Sequence, residues 1–441
     1  MDEFPSHFDS LYPESSRFEE IEKILSFIKE GKSVQLISVP GGGRSNLFGF
    51  LAYNHKIRRK HLGENQKWFH FVYLNLFEIK NRNFFDFLKF LFLSLADSLK
   101  ERQMISEHDK LHRIFKDHLG FNDEVVLFQG LKEAIDFLAI EKELTIIFLF
   151  DQFETYIPSV SPLFFENLRI LRNRAKYRFS SVFSLTRPID SLIDESTLAP
   201  FSEFLEDNQI YLKLKDESGL DFRLSYLEKI TGKKLNKELV NEIIALTGGQ
   251  GRLTKLGEEI AISENISSEI SIKDFSRVLL SKKAVDQALL EIWDSLTPSE
   301  QRMLIKKEKN DYLEKIGLLE NGKITIRLFE AFIKDRNKRA ESEKFYFDKN
   351  SKEIKKGEHI ISDKLTSLEF KLLKFLIENK NKLAEREEII KAVWTEAQST
   401  AGVTDQAVDQ LISRLRKKIE EDSNNPVFLQ TIKGRGIKFS N

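Results

Sequence analysis

The chain contains no cysteine. Disulfides, cysteine-ligated metals and thiol catalysis are excluded, and a reducing compartment suits such a composition. It also lacks net charge: 69 Lys and Arg balance 69 Asp and Glu over 441 residues. No global field draws it to nucleic acid or to a membrane, so any such partner has to be met by a local patch. A long uninterrupted apolar run is missing too. The most apolar stretch, FFDFLKFLFLSLADSL, contains Asp86, Lys89 and Asp97 and is too short to span a bilayer. It is expected to be a buried amphipathic helix. The start, MDEFPSHFDSLYPESS, is acidic and polar, so no signal peptide is expected. No repeat of fixed period is visible, which argues against a solenoid. These absences leave a cytoplasmic protein with no membrane contact. Its length argues for about two to four domains.

What is present is an alternation of strands and helices. Residues 17–30 carry apolar side chains at helical spacing and stop at Gly31. SVQLISV (33–39) then reads as a buried strand, followed by glycines and a helix from about Ser45. Further strands are expected at 69–76, 144–150 and 180–187, with a long helix at 83–101. Apolar strands alternating with helices predict a mostly parallel sheet covered on both faces, the α/β class. Residues 217–262 read as helical around TGGQGR. From 283 to 337, helices lead into LLENGKITIRL, a hairpin with an Asn-Gly turn. The charged stretch 338–344 carries no apolar period and reads as a linker. The expected domains are 1–210, a helical lid at 211–282, a third at 283–337 and a last at 345–441.

The stretch SVPGGGRS (38–45) follows the first strand. It matches the phosphate-loop pattern G-x-x-x-x-G-K-[ST] except at Ser38 and Arg44. A strand, a glycine turn and a helix N-terminus bind phosphate through free N–H groups and the helix dipole. On this reading Pro40, Gly41, Gly42, Gly43, Arg44, Ser45 and Asn46 hold a nucleotide, ATP or ADP. Taken alone, PGGGRS is also an ordinary tight turn. The second signal is Asp151, an acid closing the apolar run IIFLFD, where a Mg²⁺-dependent site needs one. Ser45 and Asp151 are the expected Mg²⁺ residues. Arg44 keeps the charge of lysine but as a bulky planar fork. Gln152 follows the acid where a glutamate would polarise water, and Glu154 is two positions off. Both changes predict slow or absent hydrolysis.

These residues resemble the AAA+/STAND group of P-loop ATPases, especially archaeal-type ATPases related to origin-recognition proteins. SRFEEIEKILSFIKEGKSVQLISV fits the segment leading into the loop, and SLTRP fits the sensor-1 strand. TGGQGRLTKL fits the lid motif, and LTPSEQRML…YLEKIGLLENGKITIRLFEAFIKD fits a following winged helix. The resemblance implies that Thr186 senses the terminal phosphate and that Arg252 is the lid sensor, with Gly251 in place of proline. It also makes Arg169, Arg172 and Arg174 candidates for an inter-subunit arginine finger, although a solvated basic helix face accounts for them as well.

The last segment has a different character. LTSLEFKLLKFLIE (365–378) is an amphipathic helix with a Thr366–Glu369 capping box. Residues 385–394 form a second helix. Residues 404–421 form a third, with Thr404 as cap and Val408, Leu411, Ile412, Leu415 and Ile419 as its apolar stripe. VFLQTIKGRGIKFSN alternates around two glycines like a β-hairpin wing. Over 356–441 there are 15 basic and 13 acidic residues, but 414–438 carries seven basic against three acidic. Charge is therefore gathered on the third helix and the wing, as reading duplex DNA requires.

This unit closely resembles the OmpR/PhoB winged-helix effector domain of bacterial response regulators, on LTSLEFKLLKFLIENKNKLAEREEIIKAVW, VDQLISRLRKKIEED and TIKGRGIKF. The resemblance implies that Gln410, Ser413, Arg414 and Lys417 face the major groove. Gln406, Thr431 and Lys433 would hold the phosphate backbone, and Arg435 the wing tip. Leu411 stands where a polar phosphate contact is common, and Ile437 where a wing tyrosine is usual. No receiver domain precedes the unit, so phosphorelay control is not expected.

The expected function is a DNA-binding transcriptional regulator in which a nucleotide-binding module controls a winged-helix reader of double-stranded DNA. A homo-oligomer or a regulatory protein partner fits such a module. Two other readings stay open: an active DNA-dependent ATPase serving as loader or antiphage sensor, and an adaptor whose phosphate loop is inert.

Overall fold

The computed structural model describes residues 7–205, 207–266, 270–394, 403–420, 422–432 and 434–440, without the side chains of 339–343. The chain divides into two compact units, which meet in sequence at Phe332 and Ile333.

Five strands build the sheet of the first unit: β1 (Val34–Ile37), β2 (Phe69–Asn75), β3 (Thr145–Asp151), β4 (Phe179–Leu185) and β5 (Gln209–Tyr211). Their order is β2-β3-β4-β1-β5 and every pairing is parallel. This is the P-loop α/β architecture. β1 and β4 are buried throughout and β3 almost so. That burial on both faces is why their sequences are continuous apolar runs. β5 escaped the sequence pattern because three residues, QIY, are too few to show a period. The strand order positions the site. β1 leads away to β2 and its neighbour β4 leads the other way to β5, so a crevice opens at their carboxyl ends. Ser38, Asp151 and Thr186 all fall along that edge.

The apolar stretch from Phe84 is indeed a core helix, Phe84–Glu101, and buries Phe87, Leu88, Leu91, Phe92, Leu95 and Leu99. Among the described residues no helix is long and apolar enough to cross a membrane. Phenylalanines join that helix to the sheet: Phe87 packs on Phe150 of β3 at 6.3 Å, and Phe150 stacks on Phe183 of β4 at 5.1 Å. Each buried ring contributes about 2–3 kcal/mol.

Four helices follow β5, in the place expected of the lid: Glu217–Thr231, Lys237–Thr247, Gly251–Ser263 and Ile272–Leu280. Then come Lys283–Asp294, Pro298–Lys306 and Asp311–Lys315. A hairpin pairs Leu319–Glu320 with Lys323–Ile324 around Asn321 and Gly322, both at positive φ. Helices followed by a hairpin are the order of elements expected there. The linker expectation differs from the structure, since 338–343 continues the helix Arg327–Glu343. Leu328, Phe329, Phe332 and Ile333 are buried and anchor the start of that helix. Once nucleated, a helix extends through polar residues at little cost.

In the second unit a three-stranded antiparallel sheet (Phe345–Asp348, Glu353–Lys356, His359–Ile360) precedes the helices Ser367–Glu378, Arg386–Val393 and Asp405–Ile419. The Thr366–Glu369 capping box is formed. Leu383–Ala384, Gly436–Phe439 and Leu429–Ile432 make a second antiparallel sheet, with the last two as the wing.

Candidate functional site

The phosphate loop has the backbone its glycines permit. Gly41 and Gly43 sit at φ 72° and 99°, where side chains are strained. A Cβ on Gly42 would lie 2.8 Å from the Ser38 Oγ. Ser38 is buried and its hydroxyl bonds the Val39 carbonyl, so serine fills the first glycine position without entering the cavity. The helix Arg44–Tyr53 starts directly after Gly43. Its first N–H groups have no intrahelical acceptor.

Three consecutive loop carbonyls are held from outside the loop. Pro40 O accepts from Gln250 Nε2 at 2.7 Å, Gly41 O from the Arg252 N–H at 3.3 Å, and Gly42 O from Arg17 Nη2 at 2.8 Å. Gln250 caps the helix Gly251–Ser263 and Arg252 lies in its first turn, so that helix is pinned on the loop. Gly251 is the first residue of its helix, where the proline of the resembled motif would also fit. Arg17 is 6% exposed, and burial pulls its guanidinium below the usual arginine range. It also donates to Lys213 O at 2.6 Å and faces Asp216 at 3.8 Å.

Behind the loop is a cavity of about 300 Å³. Arg17, Arg44, Arg223, Arg252 and Lys255 line it, against the carboxylates of Asp151 and Asp216. Cations therefore dominate, which suits a polyphosphate. Gly41, Gly42, Gly43, Ser45, Asn46 and Gln152 share the wall, while Pro40, Glu154 and Thr186 lie outside it. Tyr12, Phe50, Leu214 and Leu220 give one side an apolar face.

Asp151 closes β3 and is fully buried. Its Oδ2 accepts from the Tyr73 hydroxyl at 2.7 Å and its Oδ1 from the Gln152 N–H at 2.9 Å. Burial, with Asp151 alongside, pushes the Tyr73 hydroxyl well above the usual phenol range, so it stays a donor. Ser45 is exposed at the helix start. A hydroxyl and a carboxylate lining one cavity are ligand types that Mg²⁺ accepts. No cluster of three His, Cys, Asp or Glu that could hold a metal by itself occurs among the described residues.

Arg44 and Glu154 are joined, with Nη1 3.1 Å from Oε1. The same Oε1 accepts the Thr186 N–H, and the Thr186 carbonyl accepts from the Tyr312 hydroxyl. Arg252 pairs with Glu291. Of the three candidate finger arginines, Arg172 lies 4.2 Å over the Phe204 ring and Arg174 is bonded to Asp136. Both are engaged within the chain, and Arg169 is exposed.

Sequence reading missed Arg17, Tyr12, Tyr73, Arg223 and Gln250. Gln250 stood inside a quoted motif. Arg17 stood inside the quoted segment leading into the loop but carried no pattern of its own, and Tyr12, Tyr73 and Arg223 are single polar residues that the fold brings in from distant segments.

In the second unit, Gln406, Gln410, Ser413, Arg414 and Lys417 are all exposed on one face of Asp405–Ile419. The opposite stripe, Val408, Leu411, Ile412, Leu415 and Ile419, is buried. Leu411 is thus core and has no place on the exposed face. Ile437 is buried as well, and Trp394 packs partly buried on the same core. Arg416 donates to Leu429 O and to Thr431 Oγ1, each at 2.7 Å through Nη2. Thr431 therefore meets the helix as well as solvent. Lys418 pairs with the buried Glu369 at 2.6 Å. Arg435 is exposed at the wing turn, and Lys433 lies outside the described residues.

Residues 362–439 match the family described as "Transcriptional regulatory protein, C terminal". Among curated proteins the chain is 39% identical over 92 residues to the "Probable transcriptional regulator ycf27" of Galdieria sulphuraria, covering 21% of this chain and 35% of that protein. It spans about a third of the length of the curated relatives it matches. Two solved structures are similar over most of the chain. A Walker-type ATPase of Pyrococcus abyssi has a TM-score of 0.43 at 14% identity, covering 74% of this chain and 100% of that one. Cdc6p of Pyrobaculum aerophilum has 0.37 at 13%, covering 81% and 93%. The chain therefore carries, at its C-terminal end, an OmpR/PhoB-type winged-helix domain of the transcriptional regulatory protein family.

Proposed function

We propose that this protein is a DNA-binding transcriptional regulator in which a nucleotide-binding, weakly or non-hydrolysing P-loop unit controls the winged-helix reader. One observation carries the reading. The helix Asp405–Ile419 leaves Gln406, Gln410, Ser413, Arg414 and Lys417 exposed together, in a domain of a family named for transcriptional regulation. Such a face offers amides and guanidinium for base edges and cations for phosphates.

The cavity supports the nucleotide half. Loop N–H groups and cations would hold the phosphates of ATP or ADP, and the apolar face by Tyr12, Phe50, Leu214 and Leu220 would take the base. Ser45 and Asp151 would hold Mg²⁺, which supplies charge neutralisation at the phosphates. Gln152 can orient water but cannot take a proton. Glu154 is committed to Arg44 and Thr186, which supports slow hydrolysis.

Calorimetric titration of ATP and ADP, with and without Mg²⁺ and a mixed-sequence duplex, tests both halves. Nucleotide and DNA are each expected to bind, and each to change the affinity of the other. DNA binding is expected to fall steeply with salt. Full DNA affinity in an Arg414→Ala, Lys417→Ala double variant would reject the assigned face. The second reading, an active ATPase, is favoured by Ser45 and Asp151 lining the same cavity. It requires turnover that Asp151→Ala abolishes.

A further inference from the structure

We propose that Glu154 is a built-in counter-anion that competes with the nucleotide's phosphates for Arg44 and reports their arrival to residues 295–312. The proposal rests on the nucleotide-site reading above and assigns that site its regulation.

The geometry is a contiguous chain of polar contacts. Arg44 lines the cavity yet points its Nη1 at Glu154 Oε1, 3.1 Å away. Both side chains are largely out of water, 14% and 24% exposed. The same carboxylate oxygen accepts the Thr186 N–H. Thr186 and Arg187 directly follow β4, so they move with its end. The Thr186 carbonyl accepts from Tyr312. Arg187 donates to Ser295 O at 2.7 Å, pairs with Glu300 at 3.0 Å and lies over the Tyr312 ring at 5.2 Å. Glu300 in turn completes the capping box that starts the helix Pro298–Lys306. One carboxylate thus joins the cation of the phosphate loop to the segment that carries Tyr312.

An arriving phosphate presents Arg44 with a more highly charged anion that accepts the guanidinium fork in bidentate fashion. Glu154 then loses its cation in a place that is mostly shielded from water, where an unpaired charge is costly. It reorients, and its bond to Thr186 goes with it. The Thr186–Tyr312 and Arg187–Glu300 contacts are thereby biased by the occupant of the cavity. The bias is reciprocal: whatever loosens residues 295–312 favours nucleotide binding.

Two variants test this. Glu154→Gln removes the competing charge and keeps an acceptor for Thr186, so ATP measured by calorimetry is expected to bind on the order of tenfold more tightly than to the parent. Glu154→Ala removes the acceptor. In nucleotide-free protein, hydrogen exchange at the Thr186 amide and across 295–312 is then expected to quicken on the order of tenfold. Tyr312→Phe should quicken exchange across 295–312 while leaving the Arg44–Glu154 pair in place. If ATP binds the parent and Glu154→Gln equally, the competition is wrong while the nucleotide site stands. If exchange in Glu154→Ala matches the parent, the connection to 295–312 is wrong. If ATP binds neither folded protein, the nucleotide-site reading fails and the proposal falls with it.

Discussion

Glu258, on the lid helix Gly251–Ser263, is 3% exposed. Burial pushes its carboxyl up to about 7; Arg223 pulls it down, and Glu259, Glu228 and Asp221 push it further up. The folded protein therefore keeps a proton that the unfolded chain releases nearer pH 4.5. Stability is expected to fall as pH rises from about 4.5 to about 7, by up to about 3 kcal/mol. Glu258→Gln should match the parent near pH 5 in urea unfolding and exceed it above pH 7; equal stability at both would show that this carboxyl does not set the dependence. At this scale the sequence was legible where residues stood in a pattern. Arg44, Ser45 and Asp151 could be found by their spacing from glycines or a strand end. Arg17 and Arg223 could not, because each acquires its role from partners about 200 residues away: Arg17 from Lys213 and Asp216, Arg223 from Tyr12.

Elements with a strong period were the most legible. The helix Asp405–Ile419 buries the stripe its spacing predicts, and the exposed face follows by geometry. What the period does not reveal is which cations on that helix are already engaged. Arg416 and Lys418 bond within the unit, whereas Arg414 and Lys417 stand on the exposed face. Arg414→Ala is therefore expected to weaken DNA binding by about 1–3 kcal/mol and relax its sequence preference, with unfolding unchanged. Arg416→Ala should cost about 1.5–3 kcal/mol of stability, because the Leu429 carbonyl loses its charged donor. The reverse pattern in gel-shift and thermal-melt measurements would reassign the face. β5 and the sheet at 345–360 were missed for a common reason: their strands have two to four residues and show no alternation.

At the scale of the molecule, the two units make ligand effects separable. A ligand that binds only the folded state stabilises it by about 2.7 kcal/mol at a hundred times its dissociation constant. ATP is expected to raise the melting transition of residues 1–332, and duplex DNA that of residues 333–441. In scanning calorimetry, a shift of the second transition by ATP would measure the coupling free energy directly. ATP and DNA each shifting only its own transition would show that the two sites work independently, against control of one by the other.

The sequence by itself determined the parallel α/β class, the glycine loop with its acid, and the winged helix with its basic face. Each of these is written in local periodicity or in fixed spacing along the chain, which survives without tertiary context. Only the tertiary structure decided where the charges are engaged. It placed Arg17 under the phosphate loop, turned Arg44 onto Glu154 and linked Glu154 through Thr186 to Tyr312. The physical reason is that a charged side chain takes its partner from whatever the fold brings within a few ångströms, and those partners lie tens to hundreds of residues away in the chain.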